Sequence, residues 1–153
     1  MTESRREVAI LIAEDDDGHA ELIQRNLARA GIHNPIFRFR DGEEILAYLQ
    51  RRGPGARPVT GTAYLLLLDI RMPKIDGIEV LRQIKADPDL RRIPVIMVTT
   101  TDDPREVDKC HELGCSTYIT KPVEYTKFIE AIHRLGLFLL VIQVPPLEAQ
   151  RTP

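Results

Sequence analysis

Tryptophan is absent, aromatic residues make up only 5% of the chain, and cysteine occurs twice. With so few cysteines there is no disulfide framework, and the fold must rest on an apolar core. Cys110 and Cys115 flank Gly114, with His111 between them. A C-x4-C pair with a nearby histidine can bind metal, but two small thiols in a reducing compartment are the plainer reading. Charge of one sign is also missing. Lys and Arg number 21 against 23 Asp and Glu, a formal net charge of −2. That balance gives no electrostatic reason to bind nucleic acid. Basic pairs such as Arg51–Arg52 and Arg91–Arg92 read as solvated helix ends, not as a stripe that tracks phosphates. Long apolar runs are lacking too. Nothing approaches the ~18 residues of a membrane span. The N-terminus, MTESRREVAILIAEDDD, has too short an apolar run before its carboxylates to be a signal peptide. The cytoplasm is the expected location, with neither a membrane nor a direct nucleic-acid partner.

What is present is an ordinary globular composition, 43% hydrophobic and 29% charged over 153 residues. That suits one domain, which buries roughly two-thirds of its unfolded surface. Short apolar runs at Val8–Ala13, Tyr64–Leu68 and Pro94–Val98 have no alternation, as in parallel strands covered on both faces. Ile36–Phe39 and Ser116–Thr120 complete a set of five. Between them lie segments with helical spacing: His19–Ala30, Gly42–Gln50, Gly77–Ala86, Pro104–Leu113 and Glu124–Leu135. Asp41 and Asp103 are placed as N-caps, Asp76 opens its helix, Asp16 and Asp17 read as cap residues for the first helix, and Gly31 and Gly114 supply stops. Strand and helix alternate five times. This predicts an α/β doubly wound parallel sheet of the flavodoxin-like (βα)5 kind, in strand order 2-1-3-4-5. The Gly/Pro-rich stretch Arg52–Thr62 reads as a surface loop.

The apolar runs end in residues able to do chemistry. Glu14 and Asp15 follow the first, Asp69 the third, Thr99 the fourth, and Lys121 the fifth. Ligands of open α/β sheets bind at the carboxyl ends of the strands, so all five residues meet in one cleft. Three acids at close range raise one another's pKa unless a cation neutralises them. Oxygen ligands without His or Cys favour magnesium. Such a site suits phosphoryl transfer, with a carboxylate able to form an aspartyl phosphate. Asp69, alone at the end of a central strand, is the candidate nucleophile. Asp15 would hold the metal and Glu14 would act through water. Lys121 would neutralise one phosphoryl oxygen and Thr99 would hydrogen-bond another. Singly, each is an ordinary cap, turn or surface residue. Together, at four strand ends and in this order, they form a specific constellation.

The segments AILIAEDD, LLLLDIRMPKIDGIEVL, IPVIMVTT and GCSTYITKP resemble the receiver domain of two-component response regulators, over roughly Val8 to Leu135. The resemblance implies that Asp69 accepts a phosphoryl group from a partner histidine kinase, with Mg2+ as cofactor. Metal ligands would be Glu14, Asp15, Asp69 and the backbone carbonyl of Arg71. Thr99 and Tyr118 would form the conformational switch, and Lys121–Pro122 would be a cis peptide bond. The chain would be a signalling phosphoacceptor, not an enzyme, acting only on its own phosphoryl group. Arg71 and Thr101 stand where family members vary the access of water, and either direction of effect is open. His19, His33, His111 and His133 read as solvated groups, with His19 able to line the cleft mouth.

With a receiver domain expected over residues 1–136, residues 137–153 would leave no room for an output domain. They open with six apolar residues, Leu137, Phe138, Leu139, Leu140, Val141 and Ile142. The run could extend the last helix or fold back on its own core. An extended arm that packs on a second copy, giving a homodimer, is the preferred reading. The ending RLGLFLLVIQVPP resembles the small response regulators that pair with bacterial phytochrome kinases. Two rival classes fare worse. A phosphatase with an aspartyl nucleophile would carry a second Asp where Arg71 stands. A flavin-binding module would need a Ser/Thr/Gly loop in place of AEDDDGH. A receiver-shaped scaffold that works without phosphorylation remains the alternative.

Overall fold

Apolar runs become strands and amphipathic segments become helices, in strict alternation. A computed structural model describes residues 8–51, 62–142 and 144–147. The loop expected over residues 52–62 lies almost wholly outside them. The elements are β1 (Val8–Ala13), α1 (Asp17–Arg29), β2 (Ile36–Phe39), α2 (Gly42–Leu49), β3 (Ala63–Leu68), α3 (Gly77–Ala86), β4 (Val95–Thr99), α4 (Pro104–Leu113), β5 (Thr117–Thr120) and α5 (Tyr125–Leu139). A 3-10 turn at Leu90–Arg92 leads into β4. The strands pair in parallel in the order β2-β1-β3-β4-β5, as expected.

Every residue of β3 is buried, whereas the edge strands β2 and β5 are partly exposed. Successive side chains of the central strands point to opposite faces, so each strand feeds two cores. On one face Leu11, Leu66, Leu68 and Met97 pack with Ile45, Leu46, Val80, Leu81 and Cys110, from α2, α3 and α4. On the other, Ile12, Leu67, Ile96 and Val98 pack with Ile23, Leu27, Phe128 and Ile132, from α1 and α5. Each such side chain stabilises the fold by about 1.5–3 kcal/mol on burial.

Helix starts follow the aspartates. Asp16, Asp41, Asp76 and Asp103 accept hydrogen bonds from the amides of His19, Glu44, Glu79 and Arg105. Each cap is worth about 1 kcal/mol. Asp17 is not a cap; it opens α1 and pairs with Arg38 and Arg40. Gly114 ends α4 with φ at 103°, a left-handed conformation that glycine adopts without a Cβ clash. Gly77 serves a different need. A Cβ there would lie 2.1 Å from the carbonyl oxygen of Asp69, so α3 can approach the end of β3 only through glycine.

The C-terminal segment departs from an arm that is extended from residue 137. Leu137 to Leu139 form the last turn of α5, and Leu140 caps it. This realises the plainer alternative for that stretch, because Leu139 finds apolar contacts against the α1/α5 core by staying helical. Beyond the helix the chain is irregular. Ile142 and Val144 pack on the same core, and the buried Leu147 joins the opposite one. The Leu147 amide donates to the Thr62 carbonyl at 3.1 Å. The tail thus passes beneath the amino ends of the strands and touches both layers. Leu137, Phe138, Leu140 and Val141 face outward.

Candidate functional site

At the opposite edge, the carboxyl ends of β1, β3, β4 and β5 converge. Glu14, Asp69, Thr99 and Lys121 are all buried, and they make up most of the buried polar residues described. Asp15 lies beside them but exposed. Carboxylate oxygens of Glu14, Asp15 and Asp69 come within 4.8 Å of one another. Lys121 is 4% exposed, and its ammonium hydrogen-bonds Glu14 and lies 3.1 Å from Asp69 Oδ2. The Asp69 amide donates to Ala13, which sets the strand end, and the Arg71 amide reaches Asp69 Oδ1 at 3.4 Å.

The expected cis bond is a correction. The Lys121–Pro122 peptide is trans, as is every peptide bond described. The trans form is the lower-energy one for X–Pro, and the end of β5 already delivers the lysine to its carboxylate partners.

Two features mark the site as built for something more than its own groups. Burial, then the charge of Asp69, pushes the Glu14 carboxyl up to about 7, although Lys121 pulls it down. The negative charge here exceeds what one lysine neutralises. The Thr99 hydroxyl, fully buried, is the one side-chain polar atom among those described that is both buried and unpartnered. Orphan groups of this kind are costly and persist where a ligand satisfies them. Three hard oxygen donors, without nitrogen or sulfur, fit a small divalent cation. The residues present therefore fit the metal that the chemistry calls for.

Several contacts could not be read from residue spacing. Arg38 donates from Nε and Nη2 to the Glu14 backbone carbonyl at 3.0 and 2.8 Å, pinning the first acidic position. His19 is more than a solvated group. Its Nδ1 lies 3.1 Å from Lys121 Nζ, and its ring stacks near Phe128 at the cleft mouth. Tyr118 is half-buried, and its hydroxyl donates to the Thr101 carbonyl at 2.7 Å, away from Asp69. Burial foremost pushes that phenol up to about 12, so it stays a donor. Cys110 and Cys115 are free, buried thiols. Burial pushes Cys110 up to about 11, which makes it unreactive.

A parallel (βα)5 sheet carrying this acidic cluster and lysine fits a phosphotransfer signalling domain. The sequence agrees: residues 10–133 match the response regulator receiver domain, and the chain belongs to that family. It is a two-component signalling protein. Among solved structures it is similar to a response regulator receiver domain from Rhodospirillum rubrum, at 48% identity and a TM-score of 0.86, covering 92% of this chain and 99% of that one. It is also similar to the response regulator Rcp1 of Synechocystis, 38% identical over 141 residues, 90% of this chain and 92% of Rcp1. The Mn2+-bound form of Rcp1 superposes with a TM-score of 0.81. A phosphorylated cyanobacterial phytochrome response regulator, RcpA, gives 0.81 at 32% identity, covering 92% and 99%. The chain is thus homologous to phytochrome-associated regulators. No helix among the described residues is long and apolar enough to cross a membrane.

Proposed function

We propose that this receiver accepts a phosphoryl group on Asp69 from a histidine kinase and signals by a change of conformation. The observation that carries the reading is one buried cluster in which Asp69 meets Lys121 beside the unpartnered Thr99 hydroxyl. An oxygen of Asp69 attacks the phosphorus of a phosphohistidine. The P–O bond to Asp69 forms, the P–N bond breaks, and the imidazole leaves with its electron pair. Lys121 neutralises one phosphoryl oxygen, and Thr99 swings its hydroxyl onto another. Glu14, Asp15, Asp69 and the Arg71 carbonyl would hold Mg2+, which when bound neutralises charge on the phosphoryl oxygens. The protein acts only on its own phosphoryl group, taking it up and releasing it by hydrolysis.

Movement of Thr99 carries the β4–α4 loop with it. Tyr118 then gives up the Thr101 carbonyl and turns inward, altering the α4–β5 surface that a reader would touch. A phytochrome kinase is the proposed donor, supported by the likeness to RcpA and by the apolar tail. The same tail supports a homodimer, since Leu137, Phe138, Leu140 and Val141 form an outward apolar strip. Sedimentation checks this, and a monomer at every concentration would contradict it.

The test of the reading is intact mass after incubation with Mg2+ and a small phosphodonor, for the natural chain and Asp69→Asn. One phosphoryl group gained only by the natural chain supports it. Equal gain by the variant, or none by either, leaves a receiver-shaped interaction module.

A further inference from the structure

The Lys121 side chain is buried, and its ammonium has three N–H donors and no acceptor. All three donors are engaged. One goes to Glu14 Oε1, one to Asp69 Oδ2 at 3.1 Å, and one to His19 Nδ1 at 3.1 Å. An ammonium can only donate, so Nδ1 is the bare nitrogen of a neutral ring, and the ring proton sits on Nε2. The same Nδ1 lies 3.9 Å from Glu14 Oε1, beyond hydrogen-bond reach. The imidazole therefore serves the lysine and not the acid. His19 is itself held in place. It stands in the first turn of α1, and its amide donates to the Asp16 cap at 2.9 Å. Its ring lies 5.5 Å from that of Phe128 in α5.

Acceptors on three sides fix the rotation of the ammonium, and with it the N–H aimed at Asp69. The third acceptor is uncharged, so it directs the lysine without consuming its positive charge. We infer that His19 is a positioning residue, the neutral third acceptor that keeps Lys121 turned toward Asp69 for phosphoryl transfer. The inference rests on Asp69 as phosphoacceptor. With acetyl phosphate as donor, an Asp69 oxygen attacks phosphorus and a P–O bond to Asp69 forms. The P–O bond to the acetyl group breaks, and acetate leaves with its electron pair. Charge is spread over the phosphoryl oxygens during that exchange. A donor already aimed there stabilises it without reorganisation. Without the imidazole, one N–H of Lys121 loses its partner, and the ammonium settles against Glu14 instead.

The experiment measures the second-order rate of phosphoryl uptake from acetyl phosphate in Mg2+, by intact mass, for the natural chain, His19→Phe and His19→Asn. Phenylalanine keeps a ring against Phe128 and removes the acceptor. Asparagine places a carbonyl oxygen where Nδ1 stands and removes the ring. His19→Phe should slow uptake about tenfold, the scale of one hydrogen bond to a charged group. His19→Asn should restore most of the rate. Nitrogen NMR of the metal-free natural chain in mildly alkaline buffer gives a second readout, in which the His19 proton should sit on Nε2 alone. Uptake by His19→Phe at the natural rate overturns this inference alone, as do equal losses in both variants or a ring proton on Nδ1. If the natural chain takes up no phosphoryl group, the phosphoacceptor reading fails and this inference fails with it.

Discussion

The two ends of the sheet follow opposite rules. At the amino ends of the strands, Val8, Ile32, Leu139, Ile142 and Val144 close an apolar layer. Polar groups there are answered, as where Asn34 donates to the Val8 carbonyl at 2.8 Å and Leu147 to Thr62. At the carboxyl ends, two buried acids share one lysine, a hydroxyl has no partner, and a carboxyl is pushed up to about 7. The first arrangement is what stability alone selects. The second is costly by itself, and the proposed cation and phosphoryl group would relieve that cost. Local rules that hold at one edge and fail together at the other are how a fold reveals its site.

The sharpest way to break this contrast is to remove the shared cation. Lys121→Met leaves Glu14 and Asp69 buried without their shared cation. It should cost about 3 kcal/mol in denaturant unfolding at pH 8 with chelator. Added Mg2+ should recover part of that loss. At the other edge, Leu147→Ala should cost about 2 kcal/mol through lost burial, and Mg2+ should make no difference. If both variants respond alike to Mg2+, the two edges are not energetically distinct.

A smaller effect separates the edges by pH. The Glu14 carboxyl sits at about 7 in the folded chain against an ordinary 4.5. The folded state therefore holds the proton more tightly than the unfolded one. The stability this contributes is full below pH 4.5 and is lost as pH rises through 7. A cation among the carboxylates favours the charged form and reverses the loss. Mg2+ at ten times its pH 8 dissociation constant should add about 1.4 kcal/mol at pH 8. The same concentration should add less at pH 5. Equal gains at both would mean that the cation binds elsewhere.

Much of this was legible from residues alone, and the reason is physical. Uninterrupted apolar runs must be buried on both faces, which dictates a parallel sheet. Asp41, Asp76 and Asp103 announce helix starts through local hydrogen bonds. Strand ends then bring Glu14, Asp69, Thr99 and Lys121 together by topology. What spacing does not encode is which long side chain finds which distant partner. Arg38 on the Glu14 carbonyl, Arg71 on Glu106, and His19 beside Lys121 depend on reach and rotamer across separate elements. The end of α5, at Leu139, is not legible for a related reason. A run of apolar residues does not say which of its members, Leu139 or Phe138, will face the chain's own core.

The central claim is that the carboxyl end of the sheet exists to phosphorylate one carboxylate. Borohydride reduces an acyl phosphate to the alcohol, so an aspartyl phosphate becomes homoserine, which peptide mass spectrometry locates. After phosphodonor and Mg2+ treatment, the account predicts homoserine at position 69 alone. Reduction at Glu14 or Asp15 instead, or at no residue, would contradict it.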